Sequence, residues 1–163
     1  MKTWTTDDKS TWGDGPWQVE PDKMVWVDLA TDLDCMIHRN RVGSLCGYVG
    51  VGPDHPWHGK HYDDIDADVH GGLTYSNKCQ ETATEDDGIC HVPEPGREHD
   101  IWWVGFDCAH GQDYCPEMEA GVKAMGMPTI TDELHGWWKP TYKTVAYVED
   151  QIRSLAQQAR AAT

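Results

Sequence analysis

Cys35-Met36-Ile37-His38-Arg39 and Leu45-Cys46-Gly47-Tyr48-Val49-Gly50-Val51, linked through Arg41-Val42-Gly43-Ser44, decide the fold class. Each run is apolar-rich and too short for an ordinary helix. The link carries Gly43 and Ser44, which suit a tight turn. Met24-Val25-Trp26-Val27 reads as a further strand upstream, and short β runs joined by tight turns predict an antiparallel meander. Downstream, Ile101–Cys108 is the most hydrophobic run and the expected central strand. Between them, Ile65–Tyr75 returns to an extended pattern, broken at Gly71-Gly72.

One helix is plain. Val145, Val148, Ile152, Leu155 and Ala159 recur at spacings of three and four, forming one apolar stripe. Thr141 or Thr144 can cap its start, after Pro140. The stripe is expected to pack on one face of the sheet. The 163 residues suit a single α+β domain. Its expected parts are an N-terminal arm over 1–23, a sheet over 24–110, an irregular segment over 111–140 and a helix over 141–160. The segments 52–64 and 76–98 are read as long loops, and Trp137-Trp138 as hydrophobic cover.

Asp and Glu number 28 against 13 Lys and Arg, a formal charge of −15. Phosphate backbones and anionic membranes repel such a chain, so nucleic-acid and membrane partners are not expected. Nine Trp and six Tyr exclude a disordered acidic tail. With neither an apolar run after Met1-Lys2 nor a stretch of membrane-spanning length, the reading is cytoplasmic. There the six cysteines are expected to stay mostly reduced, and the absence of Cys-x-x-Cys argues against a disulfide framework or zinc ribbon.

The candidate site lies in two segments, Val69-His70-Gly71-Gly72-Leu73-Thr74-Tyr75 and Trp102-Trp103-Val104-Gly105-Phe106-Asp107-Cys108-Ala109-His110. Gly71 and Gly72 permit positive φ and can expose N–H groups to an anion, with the Thr74 hydroxyl beside them. On a strand, Asp66, Asp68 and His70 would share one face and could bind a divalent metal or do acid–base work. Asp107 ends the apolar run, either as a functional carboxylate or as an Asx-type turn, and His110 follows closely. Trp102 and Trp103 face opposite sides, one into the core under the helix and the other, on the Asp107 side, as a pocket wall. His55-Pro56-Trp57-His58-Gly59-Lys60-His61 reads as a mobile polar lid with Trp57 at its tip. A Cys108 nucleophile beside His110, and zinc on Cys108, His110 and Cys115 or on Cys79, Cys90 and His91, are weaker options.

Leu45–Val51 with His55-Pro56, the His70-Gly71-Gly72-Leu73-Thr74-Tyr75 segment, the Trp102–His110 segment and the Tyr142–Leu155 helix together resemble a family of small acidic bacteriophage and prophage proteins. The resemblance runs over about residues 15–160 and brings no chemistry with it. A phage origin implies a role against host defence. The leading expectation is a small-molecule-binding protein, possible as a homo-oligomer, that sequesters a nucleotide-derived immune signal and needs no cofactor. His70, Gly71, Gly72 and Thr74 would meet its polar part, Trp102 or Trp103 would stack, Asp107 and His110 would fix hydroxyls, and Arg39 would pair with phosphate. A second expectation is a hydrolase or phosphodiesterase of such a nucleotide. His70, Asp107 and His110 would be catalytic, or Asp68, His70, Asp107 and His110 would bind a divalent metal. A third is an acidic inhibitor of protein interactions.

Overall fold

The computed structural model describes residues 1–80, 84–129 and 139–163; Trp137-Trp138 and most of the segment after Pro128 lie outside them. The architecture is α+β. Six strands form one antiparallel sheet: β1 (Lys2–Trp4), β2 (Lys23–Val27), β3 (Asp34–Arg39), β4 (Leu45–Val51), β5 (Tyr75–Lys78) and β6 (Trp102–Asp107). Their spatial order is β1-β2-β3-β4-β6-β5. The first four follow a meander, and the chain then passes to the far edge before β6 returns between β4 and β5. β6 is therefore an interior strand. The N-terminal arm is tied down as an edge strand, with Trp12 and Trp17 buried.

Two helices are described, α1 (Pro116–Ala124) and α2 (Val145–Ala161). The Thr144 side chain caps α2 by accepting from the Tyr147 N–H. Val148, Ile152, Leu155, Ala156 and Ala159 are buried against Ile37, Val49, Val104 and Phe106 in one core. A Cβ on Gly47 would overlap Phe106 and Ile152, so the glycine lets α2 approach the sheet closely. The opposite face holds a second core of Met36, Cys46, Tyr48, Ile89, Ile101 and Trp103. Covered on both sides, β4 is buried along its whole length. Among the described residues no helix is long and apolar enough to cross a membrane.

Four expectations need correction. Residues 66–74 form no strand, so Asp66, Asp68 and His70 do not share a strand face. This stretch lies along α2 instead: the Asp68 N–H donates to Gln158 Oε1 (2.7 Å) and the His70 N–H to Gln151 Oε1 (2.9 Å). The segment 111–140 is not wholly irregular, because Pro116 begins α1 at the position where a missing N–H costs nothing. The lid over 55–61 is pinned: Trp57 is buried in the α2-side core and His55 bonds the Ala159 carbonyl at 2.9 Å.

The fourth correction is chemical. Cys79 and Cys90 form a disulfide, while Cys35, Cys46, Cys108 and Cys115 are buried free thiols. The bridged loop supplies the carbonyls of Glu85, Gly88 and Cys90 to the Lys23 ammonium, which is fully buried. Burial pushes the Lys23 pKa down to about 8, with the acidic run Glu85-Asp86-Asp87 pulling the other way.

Candidate active site

The site is assembled where β6 ends. Asp107 closes the strand, and its Oδ1 accepts the Ala109 N–H at 2.9 Å in an Asx-type turn. The next turn, closed by the Asp113 N–H on the His110 carbonyl (2.8 Å), brings His110 and Asp113 together. A second turn faces it. The Gly72 N–H bonds the Val69 carbonyl at 3.0 Å, with Gly71 at φ +67 in the third position, which favours glycine. A Cβ on Gly71 would overlap the His110 imidazole, so this backbone packs directly on the ring. Of the glycine pair only Gly71 makes a close approach, and its partner is the His110 ring; at Gly72 nothing lies within 4 Å.

Asp113 is the centre of the cluster. Its side chain has no exposed surface, and its Oδ2 lies 2.8 Å from His70 Nε2 and 3.4 Å from His110 Nδ1. The same oxygen accepts the His110 N–H at 3.0 Å. Lys143 Nζ stands 3.6 Å from Oδ1. Burial raises the Asp113 pKa, but the bonds from His70 and the His110 N–H, helped by the nearby Lys143 charge, outweigh it and hold the carboxyl below its ordinary value. Asp113 is therefore a buried carboxylate.

A carboxylate only accepts, so the His70 Nε2 beside it carries the proton and Nδ1 accepts from the Tyr147 hydroxyl at 3.0 Å. Burial, then the nearby Cys108 and Asp113, pushes the Tyr147 pKa up, so the phenol stays protonated. Lys143 Nζ lies 5.3 Å from the centre of the Tyr147 ring. The first turn of α2 thus orients His70 through its ring while Gln151 holds its main chain. The His70 and His110 rings meet edge to face, 5.4 Å between centroids. Asp107 Oδ1 is 3.9 Å from His110 Nδ1, at the half-exposed rim. This constellation can transfer protons through a carboxylate-oriented imidazole. It can also offer one carboxylate and two imidazoles to a metal, since the ligand atoms of His70, His110 and Asp113 lie within 4.8 Å of one another.

Of the expected site residues, His70, Gly71, Asp107 and His110 come together, with Gly72 completing the turn. Thr74 is drawn into the sheet, its N–H bonded to the Gly105 carbonyl at 2.9 Å. Asp68 is exposed and bound through its backbone to Gln158. Trp103 is not a pocket wall: it is fully buried in the second core. Trp102 is half-buried against the α2-side core, and its Nε1 donates to the Lys60 carbonyl. Gly105 makes room for the Tyr48 ring rather than for a ligand. Arg39 is a structural hub. Its guanidinium is spent on Asp22, the Pro21 and Gly43 carbonyls and the Tyr142 hydroxyl, because a buried cation must be paired. It lines a cleft of about 530 Å³ on the sheet face turned away from α2 and apart from the cluster. Cys108 is 1% exposed, and burial followed by the Asp113 charge drives its thiol pKa far up, which removes it as a nucleophile.

Asp113, Lys143, Tyr147 and Gln151 are the site residues missed in the sequence. The signal for Asp113 was its i+3 spacing from His110, which one tight turn converts into contact. Comparison with protein-family models, with curated proteins and with solved structures gives no match to this chain.

Proposed function

We propose that the protein is a hydrolase of small phosphoesters, with a nucleotide-derived signal as substrate class and Asp113, His70 and His110 as its reaction centre. The observation that carries this reading is the buried Asp113 carboxylate gathering both imidazoles on one oxygen. A protein that only sequesters a ligand has little use for a desolvated carboxylate wired to a histidine, whereas water activation needs one. In hydrolysis the water oxygen bonds phosphorus as the ester P–O bond breaks. The water proton passes to the centre, and a proton returns to the departing alcohol oxygen. His110, half-exposed at the rim beside Asp107 and 3.4 Å from the buried Asp113 carboxylate, is placed to take the first proton and return the second, while His70 and Asp113 set the charge beside it. Lys143 balances the charge of the centre and of an incoming phosphate.

The resemblance to phage proteins gives this activity a role, since destroying an immune signal disarms a host as sequestering it does. Homo-oligomerisation belongs to the same proposal, and native mass spectrometry reports the oligomer. The test is incubation of the full chain with a panel of linear and cyclic nucleotides, read by chromatography. Asp113→Asn and His70→Gln should abolish turnover while leaving a cooperative melt. Ligand recovered intact after heat denaturation would replace hydrolysis by sequestration. Absence of both binding and turnover across the panel would remove the nucleotide reading.

A further inference from the structure

We propose that His70 Nε2, His110 Nδ1 and the Asp113 carboxylate hold one divalent first-row transition-metal ion of the zinc class. The proposal rests on the hydrolase reading of the same site and says how its water is activated.

The spacing of the ligand atoms is the first argument. Zinc bonds to imidazole nitrogen and carboxylate oxygen run about 2.0–2.2 Å, which puts tetrahedral neighbours ~3.3 Å apart. Asp113 Oδ2 stands 2.8 Å from His70 Nε2 and 3.4 Å from His110 Nδ1. All three ligand atoms lie within 4.8 Å of one another, so an ion entering between them would draw the two imidazoles together around the carboxylate.

The second argument is unspent hydrogen-bonding capacity. Asp113 Oδ1 and His110 Nδ1 are both buried and have no hydrogen-bond partner among the described residues. Leaving such groups unsatisfied is costly. Lys143 Nζ, at 3.6 Å, is too far to bond Oδ1. A cation held on Oδ2 gives His110 Nδ1 its partner, and one held by both oxygens engages Oδ1 as well.

The third argument is the outer shell. Metal-binding histidines characteristically bond a second group through the other ring nitrogen, and Tyr147 Oη occupies that place on His70 Nδ1 at 3.0 Å. With Nε2 on the metal, Nδ1 takes the proton and the phenol oxygen accepts it. The His110 ring is supported by the Gly71 backbone, where any larger residue would displace it. Two imidazoles and one carboxylate favour zinc, iron or manganese over magnesium or calcium, and three protein ligands leave a position open to substrate. The ion supplies Lewis acidity there.

The test uses the full chain, stripped by chelator and titrated with zinc, with calorimetry and elemental analysis as readouts. One equivalent is expected. Asp113→Asn should lose it, and Tyr147→Phe should weaken it about 10–100-fold. Zinc should shift the imidazole resonances of His70 and His110 but not those of His55, His58 and His61. Shifts confined to the 55–61 histidines, or a full equivalent retained by Asp113→Asn, overturn the proposal. Because the resonances are read on unmutated protein, a variant that fails to fold does not rescue it. Turnover undiminished in the stripped protein removes the metal and leaves the hydrolase. Zinc bound at these residues without turnover of any ester does the reverse.

Discussion

Gly71 and Gly72 are neighbours with positive φ, yet a methyl group meets different surroundings at each. At Gly71 it overlaps the His110 ring; at Gly72 nothing lies within 4 Å. Both alanine variants should lose about 1–2 kcal/mol to the left-handed backbone. Only Gly71→Ala should also move the His110 resonances and abolish turnover, and equal effects on activity would show that the ring contact is incidental. Asp113 gives a pH prediction. Its native pKa lies below the ordinary value of 3.8. Its contribution is therefore complete above the unfolded value and is lost as pH falls through the lower native one. Urea midpoints should separate wild type from Asp113→Asn by about 2 kcal/mol at neutral pH. The gap should close below pH 3.8, and a constant gap would mean that the carboxylate's charge is not what stabilises. Two of the three groups of this centre were legible in the sequence: His70 and His110 stand beside glycines or at a strand end, where polar residues break a visible pattern. Asp113 sits in Gly111-Gln112-Asp113-Tyr114, where a carboxylate breaks nothing. Arg39 misled because a scarce cation at a strand end resembles an anion site, and its partner Asp22 lies 17 positions away.

At the scale of elements, β4 runs over the stretch read from the sequence, and α2 carries the expected stripe, because burial imposes periodicity on both. Elements defined by a single residue's chemistry were harder. Pro116 stops a helix from continuing and equally well starts one, and only its surroundings decide. Cys79 and Cys90 are 11 residues apart in a polar stretch with no motif, so their pairing depends on where the loop folds. That loop carries the next prediction. Cys79→Ser with Cys90→Ser should lower stability by about 2–3 kcal/mol, as expected for closing a short loop. Amide exchange should rise first at Gly88 and Cys90, whose carbonyls enclose Lys23, and last in β4 and β6. Exchange that stays slow in the loop would show that the Lys23 ammonium alone holds it.

Over the whole molecule, a charge of −15 acts on everything that approaches. It draws divalent cations in and repels phosphate-bearing substrates, and salt weakens both effects as the Debye length falls from ~30 Å at 0.01 M to ~8 Å at 0.15 M. Stopped-flow measurements should find severalfold faster capture of an anionic ester at the higher ionic strength, with slower uptake of zinc. A flat profile would mean that Lys143 governs the encounter locally. The C-terminal helix has a consequence in time as well. Every described strand and both sequence-legible histidines precede residue 111, but the seat for His70 is built from Tyr147 and Gln151. A nascent chain can pair its strands and still lack the support of His70 until those two side chains have emerged. In the proposed hydrolase, synthesis itself therefore delays the chemistry until the scaffold that confines it is in place.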